Sequence, residues 1–144
     1  MKNILVTLDF DKNESLLIDK AFQLAKALKS KIWLMHITAP DPHFVGYEVG
    51  PQHIRDNRAN ELKKERRIIQ DHTGKLKQGG VSAKGLYIQG ATIEMILEKS
   101  KELNIDLIIA GHHNHGFFYK AFIGSVSSQI IKKSKIPVLI VPLD

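Results

Sequence analysis

The sequence predicts an α/β fold, an open five-stranded parallel sheet with helices on both faces. Three observations carry this reading. Short, nearly continuous apolar runs alternate along the chain with longer segments whose apolar residues recur at helical spacing. The runs lack the in–out alternation of a half-solvated sheet, so they read as strands covered on both faces. No internal repeat or linker interrupts the alternation, and 144 residues suffice for one domain, 1–144, with a real core. Parallel neighbours then require crossover connections, which are right-handed.

Asn3–Leu8 is the first such run, β1, and Asp9–Asn13 the loop after it. Asp11 with Glu14 three residues on matches a capping box. It opens α1, in which Leu17, Ala21, Leu24, Ala25 and Leu28 recur on one face to about Lys29. Ile32–Ile37 is β2. Thr38 to Pro51 holds three prolines and two glycines and reads as a long, mobile loop. α2, His53 to about Lys77, is polar apart from the narrow stripe Leu62, Ile69 and Leu76, and Gly79-Gly80 ends it. In β3, Lys84–Gln89, only Leu86 and Ile88 alternate inward, the pattern of an edge strand. α3 runs from Thr92, its cap, to Leu103 and buries Ile93, Ile96 and Leu97. β4 is Leu107–Ala110, α4 is Val126–Ser134 with Ile130 and Ile131 facing in, and β5 is Ile136–Val141. Two strand orders are common for five such strands, and the pattern alone leaves both open.

Composition narrows the function. Hydrophobic residues make up 43% and charged residues 25%, which excludes disorder. No apolar run approaches the roughly 20 residues a bilayer helix needs, and Ile4–Leu8 is too short for the core of a secretory leader. The absence of cysteine excludes thiol chemistry and is compatible with a cytoplasmic setting. The net charge of +6 reads as solvated helix faces. Its densest cluster, Lys63-Lys64 with Arg66-Arg67, is interleaved with Glu61 and Glu65, and no nucleic-acid motif accompanies it.

The chemistry concentrates in Gly111 to Ser125, Gly-His-His-Asn-His-Gly-Phe-Phe-Tyr-Lys-Ala-Phe-Ile-Gly-Ser. A buried strand ends in a polar, glycine-bearing loop that opens a helix. Free N–H groups and the helix dipole make such a start a natural anion site. Gly124 admits close approach of a ligand to the main chain, and Ser125 can cap the helix or offer its hydroxyl. His112, His113 and His115, so closely spaced, supply too few ligands for a zinc set, and no cysteine or second cluster of acids and histidines joins them. Asp9 and Asp11 resemble the acid pair of a phosphoacceptor domain, but Gln89-Gly90 stands where the acceptor aspartate belongs.

The same residues resemble the nucleotide-binding universal stress proteins, whose motif is glycine, two residues, glycine, nine residues, glycine and then Ser or Thr. Gly111, Gly124 and Ser125 fall in register, Asn114 stands at the second glycine, and His113 and Gly116 match residues common in that loop. The resemblance spans the whole chain. It implies a Rossmann-like sheet of order 3-2-1-4-5, with a switch point between β1 and β4. It also implies an adenine nucleotide, ATP with Mg2+ allowed beside it, held by Thr7, Leu8, Asp9, Ile37, Ala110, Gly111, His113, Asn114, His115, Gly116, Gly124, Ser125, Val126 and Ser127. The base would border His36 and Ile37 through main-chain bonds, so the His36 side chain matters little in this reading. Asparagine tolerates positive φ best after glycine, so Asn114 can keep the turn.

The family resemblance further implies a regulatory or stress-response module in the cytoplasm rather than an enzyme. Slow ATP hydrolysis is compatible with it, but the sequence offers no catalytic base, and no P-loop or dinucleotide fingerprint is present. The competing reading is a member that has lost its nucleotide and acts as an interaction dimer, which Asn114 and Phe10 favour. Either way, β5 is apolar on both faces at a sheet edge, guarded only by Pro137 and Pro142. A second copy pairing along it, a homodimer through the C-terminal strand, is the expected cover.

Overall fold

The computed structural model describes residues 1–8, 13–38, 52–89, 92–112 and 124–143, with main chain alone at 37–38, 52–58, 89, 92 and 124–128. β1 is Asn3–Leu8, α1 Glu14–Leu28, β2 Lys31–Thr38, α2 Gln52–Gln78 and β3 Ala83–Gln89. α3 is Thr92–Glu102, β4 Leu107–His112, α4 Gly124–Lys133 and β5 Val138–Pro142. All pairings are parallel and the five-stranded sheet has the order β3-β2-β1-β4-β5. β1 is therefore central, flanked by β2 and β4, and the polar β3 is an edge.

Alternation along the central strands sorts the core into two layers. Ile4, Val6 and Leu8 of β1 join Leu17, Ala21 and Ala25 of α1 and Ile69 and Leu76 of α2 on one face. Leu5 points the other way and joins Ile93 and Ile96 of α3 and Ile130 of α4. The near-continuous apolar spelling of β1 follows from this, because both of its faces are covered. At the edge, Gly85 lets α2 lie against β3, for a Cβ there would strike the Ile69 side chain.

Three local expectations are corrected. Ile131 is 59% exposed, whereas its neighbour Ile130 takes the buried line of α4. Leu28, at the last turn of α1, is 44% exposed where the helix runs past the core. α4 begins at Gly124, two residues before its apolar pattern does, so Ser125 lies inside the first turn instead of capping it. Asp11, the first member of the expected capping box, lies outside the described residues. Asn13 precedes the first helical residue with a left-handed φ of 66° and no side-chain cap bond. Its amide donates instead to the main-chain oxygen of Leu143 at 2.9 Å, and Glu14 is buried with its carboxylate 4.0 Å from His72 Nε2 on α2.

Candidate functional site

The sheet opens at its carboxyl end. β1 pairs with β2 through Leu8 and His36, its last residue, whereas its register with β4 runs from Ile4–Leu107 to Val6–Ile109. Beyond that last pair stand Thr7 and Leu8 on one side and Ala110 and Gly111 on the other. Leu8 and Ala110 are buried and Thr7 and Gly111 half-buried. Ile37 lies one strand away, its main chain paired with Ile88. β4 and β5 are parallel, so α4 must return toward the amino ends of the strands. Its N-terminus therefore lies at the carboxyl end with the crevice. Gly124, Ser125 and Val126 fall in its first turn, whose N–H groups have no carbonyl one turn back to bond, and Ser127 follows them. Asp9, His113, Asn114, His115 and Gly116 lie outside the described residues, as do Phe10, Asp11 and the Thr38–Pro51 loop apart from Thr38 itself.

Gly111 carries a structural reason that its motif did not reveal. It belongs to β4, and a Cβ on it would lie 2.5 Å from Leu143 Cδ1 and 3.6 Å from Leu17 Cδ2. Leu143, buried just past β5, closes the base of this region. Its N–H donates to the His112 oxygen at 2.8 Å and its own oxygen accepts from Asn13. Neither Leu143 nor Asn13 was legible as a site element, since the contacts join segments 130 residues apart.

His36 is the other residue that sequence reasoning undervalued. Its Nδ1 lies 2.7 Å from the Leu8 oxygen. A carbonyl can only accept, so Nδ1 carries the hydrogen and ties the end of β1 to β2 by a side-chain bond beside the crevice. Nε2 faces Glu65 Oε2 of α2 at 3.9 Å, and the Tyr87 hydroxyl of β3 donates to the same carboxylate oxygen. The Arg66 guanidinium sits 5.4 Å from the Tyr87 ring centroid. Side-chain identity at His36 therefore matters. The signal was a histidine inside a buried apolar run, where a polar ring must find partners. On the same helix, burial pushes His72 below the usual imidazole range. The Lys75 ammonium adds to the push and the Asp71 carboxylate opposes it. Glu14, at the limit of ion-pairing distance, does not reverse that direction.

A parallel sheet parted at its switch point, with a helix N-terminus at the same end, defines the Rossmann-like α/β class of proteins. The universal stress protein family matches residues 1–142, and the chain belongs to that family. Among its relatives, the universal stress protein YxiE of Bacillus subtilis is 29% identical over 143 residues, covering 96% of this chain and 97% of the relative. Universal stress protein C of Escherichia coli is 31% identical over 142 residues, covering 98% and 95%. A universal stress protein solved in complex with cAMP superposes with a TM-score of 0.72 at 20% identity, over 99% of this chain and 98% of the other. A family protein of Arabidopsis thaliana with AMP bound gives a TM-score of 0.65 at 14% identity, over 99% and 92%. At these identities the structures establish the fold.

Proposed function

We propose that the protein binds an adenine nucleotide, ATP with Mg2+ accompanying the phosphates, in the crevice between β1 and β4. The observation that carries this reading is the parting of the sheet beyond Val6 and Ile109 at the end where α4 begins with Gly124 and Ser125. Thr7, Leu8 and Asp9 would border the nucleoside, with Ile37 at the base. Ala110, Gly111 and the loop residues His113, Asn114, His115 and Gly116 would flank the phosphates, and the N–H groups of Gly124 to Ser127 would receive them. AMP and cAMP in related folds support the adenine class. In this reading the chain folds as one unit, 1–144, and works in the cytoplasm as a regulatory, stress-response module rather than an enzyme. Among the described residues no helix is long and apolar enough to cross a membrane.

The test is calorimetry with ATP and AMP on the unmodified protein and on Gly124→Val. The valine Cβ would fill the space the phosphates need, so binding is expected to vanish while the circular dichroism of the fold persists. Unchanged ATP affinity in a folded Gly124→Val protein would refute the placement.

The proposal includes a homodimer built on β5. Leu139 is 37% exposed on that edge strand, and no described strand lies beyond it. The same observation favours the second reading, an interaction dimer without nucleotide, which the calorimetry separates from the first.

A further inference from the structure

The structure holds a second cleft, on the far side of β2 from the crevice. It is a groove of about 390 Å³ between α2 and the outer edge of β3. Its helical wall is set by Arg66, Gln70, Thr73, Gly74 and Lys77, and its strand wall by Gly85 and Tyr87. The α2 positions recur at i, i+4, i+7, i+8 and i+11, one stripe of a helix, so the groove runs along the helix for about 16 Å. It is basic at both ends and, among the described residues, has no carboxylate in its walls. Glu65, next to Arg66 on α2, is turned to the Tyr87 hydroxyl and His36. Arg66 stacks over Tyr87, and neither Arg66 nor Lys77 pairs with a carboxylate among the described residues.

Two further observations say what shape fits. Ile32 donates to the Ser82 oxygen at 2.8 Å, and Ile32 registers with Ala83. Strand periodicity then turns the main-chain groups of Ser82, Lys84 and Leu86 toward β2, and those of Ala83 and Gly85 outward. Gly85 is thus both a groove wall and an outward-facing ladder rung, and among the described residues β3 has a strand neighbour on one side only. Gly74 lies inside α2, where glycine costs about 1 kcal/mol relative to alanine. A Cβ there would meet nothing within 4 Å. The fold's own packing does not require that glycine, and its effect is to leave the groove clear.

We propose that this groove takes an extended acidic peptide as an added strand on β3. Its main chain would bond the Ala83 and Gly85 groups, and its carboxylates would meet Arg66 and Lys77. On one face of a strand, residues four apart are separated by about 13 Å, which the long Arg66 and Lys77 side chains extend to reach. Strand addition supplies affinity through the ladder and specificity through alternate side chains. A partner segment reading Glu-x-x-x-Glu, with β-branched residues between, matches both. The proposal does not rest on nucleotide binding in the crevice.

The test uses the full chain and a fluorescein-labelled Glu-Thr-Val-Thr-Glu segment with neutral flanks, titrated by anisotropy at low and raised salt. A control peptide carries Lys in place of both Glu. Arg66 and Lys77 are exposed, so the double variant Arg66→Glu/Lys77→Glu is expected to keep its fold, checked by circular dichroism. The expected result is saturable, salt-sensitive binding of the acidic peptide alone, weakened at least tenfold in the double variant, with slower hydrogen exchange at the Gly85 amide when peptide is bound. Equal binding of the Lys peptide, indifference to the double variant, or an unchanged Gly85 exchange rate would overturn the proposal. So would displacement of the peptide by an equimolar short dicarboxylate, which would make the groove a small-anion site.

Discussion

Replacing Gly111 by alanine separates packing from ligand contact at the residue that opens the glycine motif. The new Cβ would lie 2.5 Å from Leu143 Cδ1 and 3.2 Å from Leu143 Cγ. Carbon atoms settle at about 3.5–4.0 Å, so the Leu143 side chain must retreat by about 1 Å. Its main chain cannot easily follow. The Leu143 N–H is bonded to the His112 oxygen at 2.8 Å and its oxygen to the Asn13 amide at 2.9 Å. Overpacking of this kind costs about 1–3 kcal/mol, and in a chain of this length each kcal/mol lowers Tm by about 2–4 °C. Leu143→Ala alone should cost about 2–5 kcal/mol, as for other buried leucines. In that background the methyl of Gly111→Ala enters vacated space, so the double variant should be little worse than Leu143→Ala. Urea unfolding of the four proteins, followed by circular dichroism, reads the coupling. Additive losses, within about 0.5 kcal/mol, would show that Leu143 is not what Gly111 makes room for.

Three other outcomes are expected. Asn114→Gly should keep or raise ATP affinity in calorimetry, since it restores the family's glycine, and a loss beyond tenfold, about 1.4 kcal/mol, would make the asparagine side chain a ligand contact. Ile140→Pro should convert the proposed β5 dimer to a monomer in sedimentation at micromolar protein. Ile108 donates to the Pro137 oxygen, so the main-chain groups of Val138 and Ile140 face the free edge whereas those of Leu139 face β4, and a dimer that survives in the Ile140→Pro protein places the interface elsewhere. Asp106→Asn should lower Tm at neutral pH, because the N–H groups of Asn3 and Lys2 hold the Asp106 carboxyl below its ordinary 3.8. That contribution is complete above 3.8 and is lost as pH falls through the folded value, so the gap between the two proteins should close in acid, and a constant gap down to pH ~2 would refute the assignment.

The sheet was legible because burial on two faces writes itself as unbroken apolar runs, and β1 and β4 have such runs. The edge character of β3 was legible for the converse reason, since Lys84 and Gln89 could not sit in a central strand. The strand order was not in the pattern. It came with the family resemblance through Gly111, Gly124 and Ser125. What escaped were effects of tertiary contact. Ile130 and Ile131 spell the same, and only the placement of α4 decides which is buried. Gly111 looked like a loop glycine because its steric partner, Leu143, lies 32 residues away in sequence. His36 looked interchangeable because its acceptor, the Leu8 oxygen, is main chain and has no side-chain signature.

The central place of β1 also bears on how the chain is born. β1, the earliest of these five strands to leave the ribosome, becomes the middle of the sheet, between β2 and β4. Once residue 89 has emerged, β1, β2 and β3 can assemble as half a sheet. The β4-facing side of Ile4, Leu5 and Val6 then stays bare until Leu107–Ile109 is synthesised. At about 5–20 residues per second, that gap is on the order of a second. During it an apolar, unpaired edge faces the crowded exit of the tunnel, a template for any other extended chain. The nascent chain should therefore engage a holding chaperone more strongly when stalled with residue 95 at the tunnel exit than when stalled with residue 112 past it, although the longer chain displays more sequence.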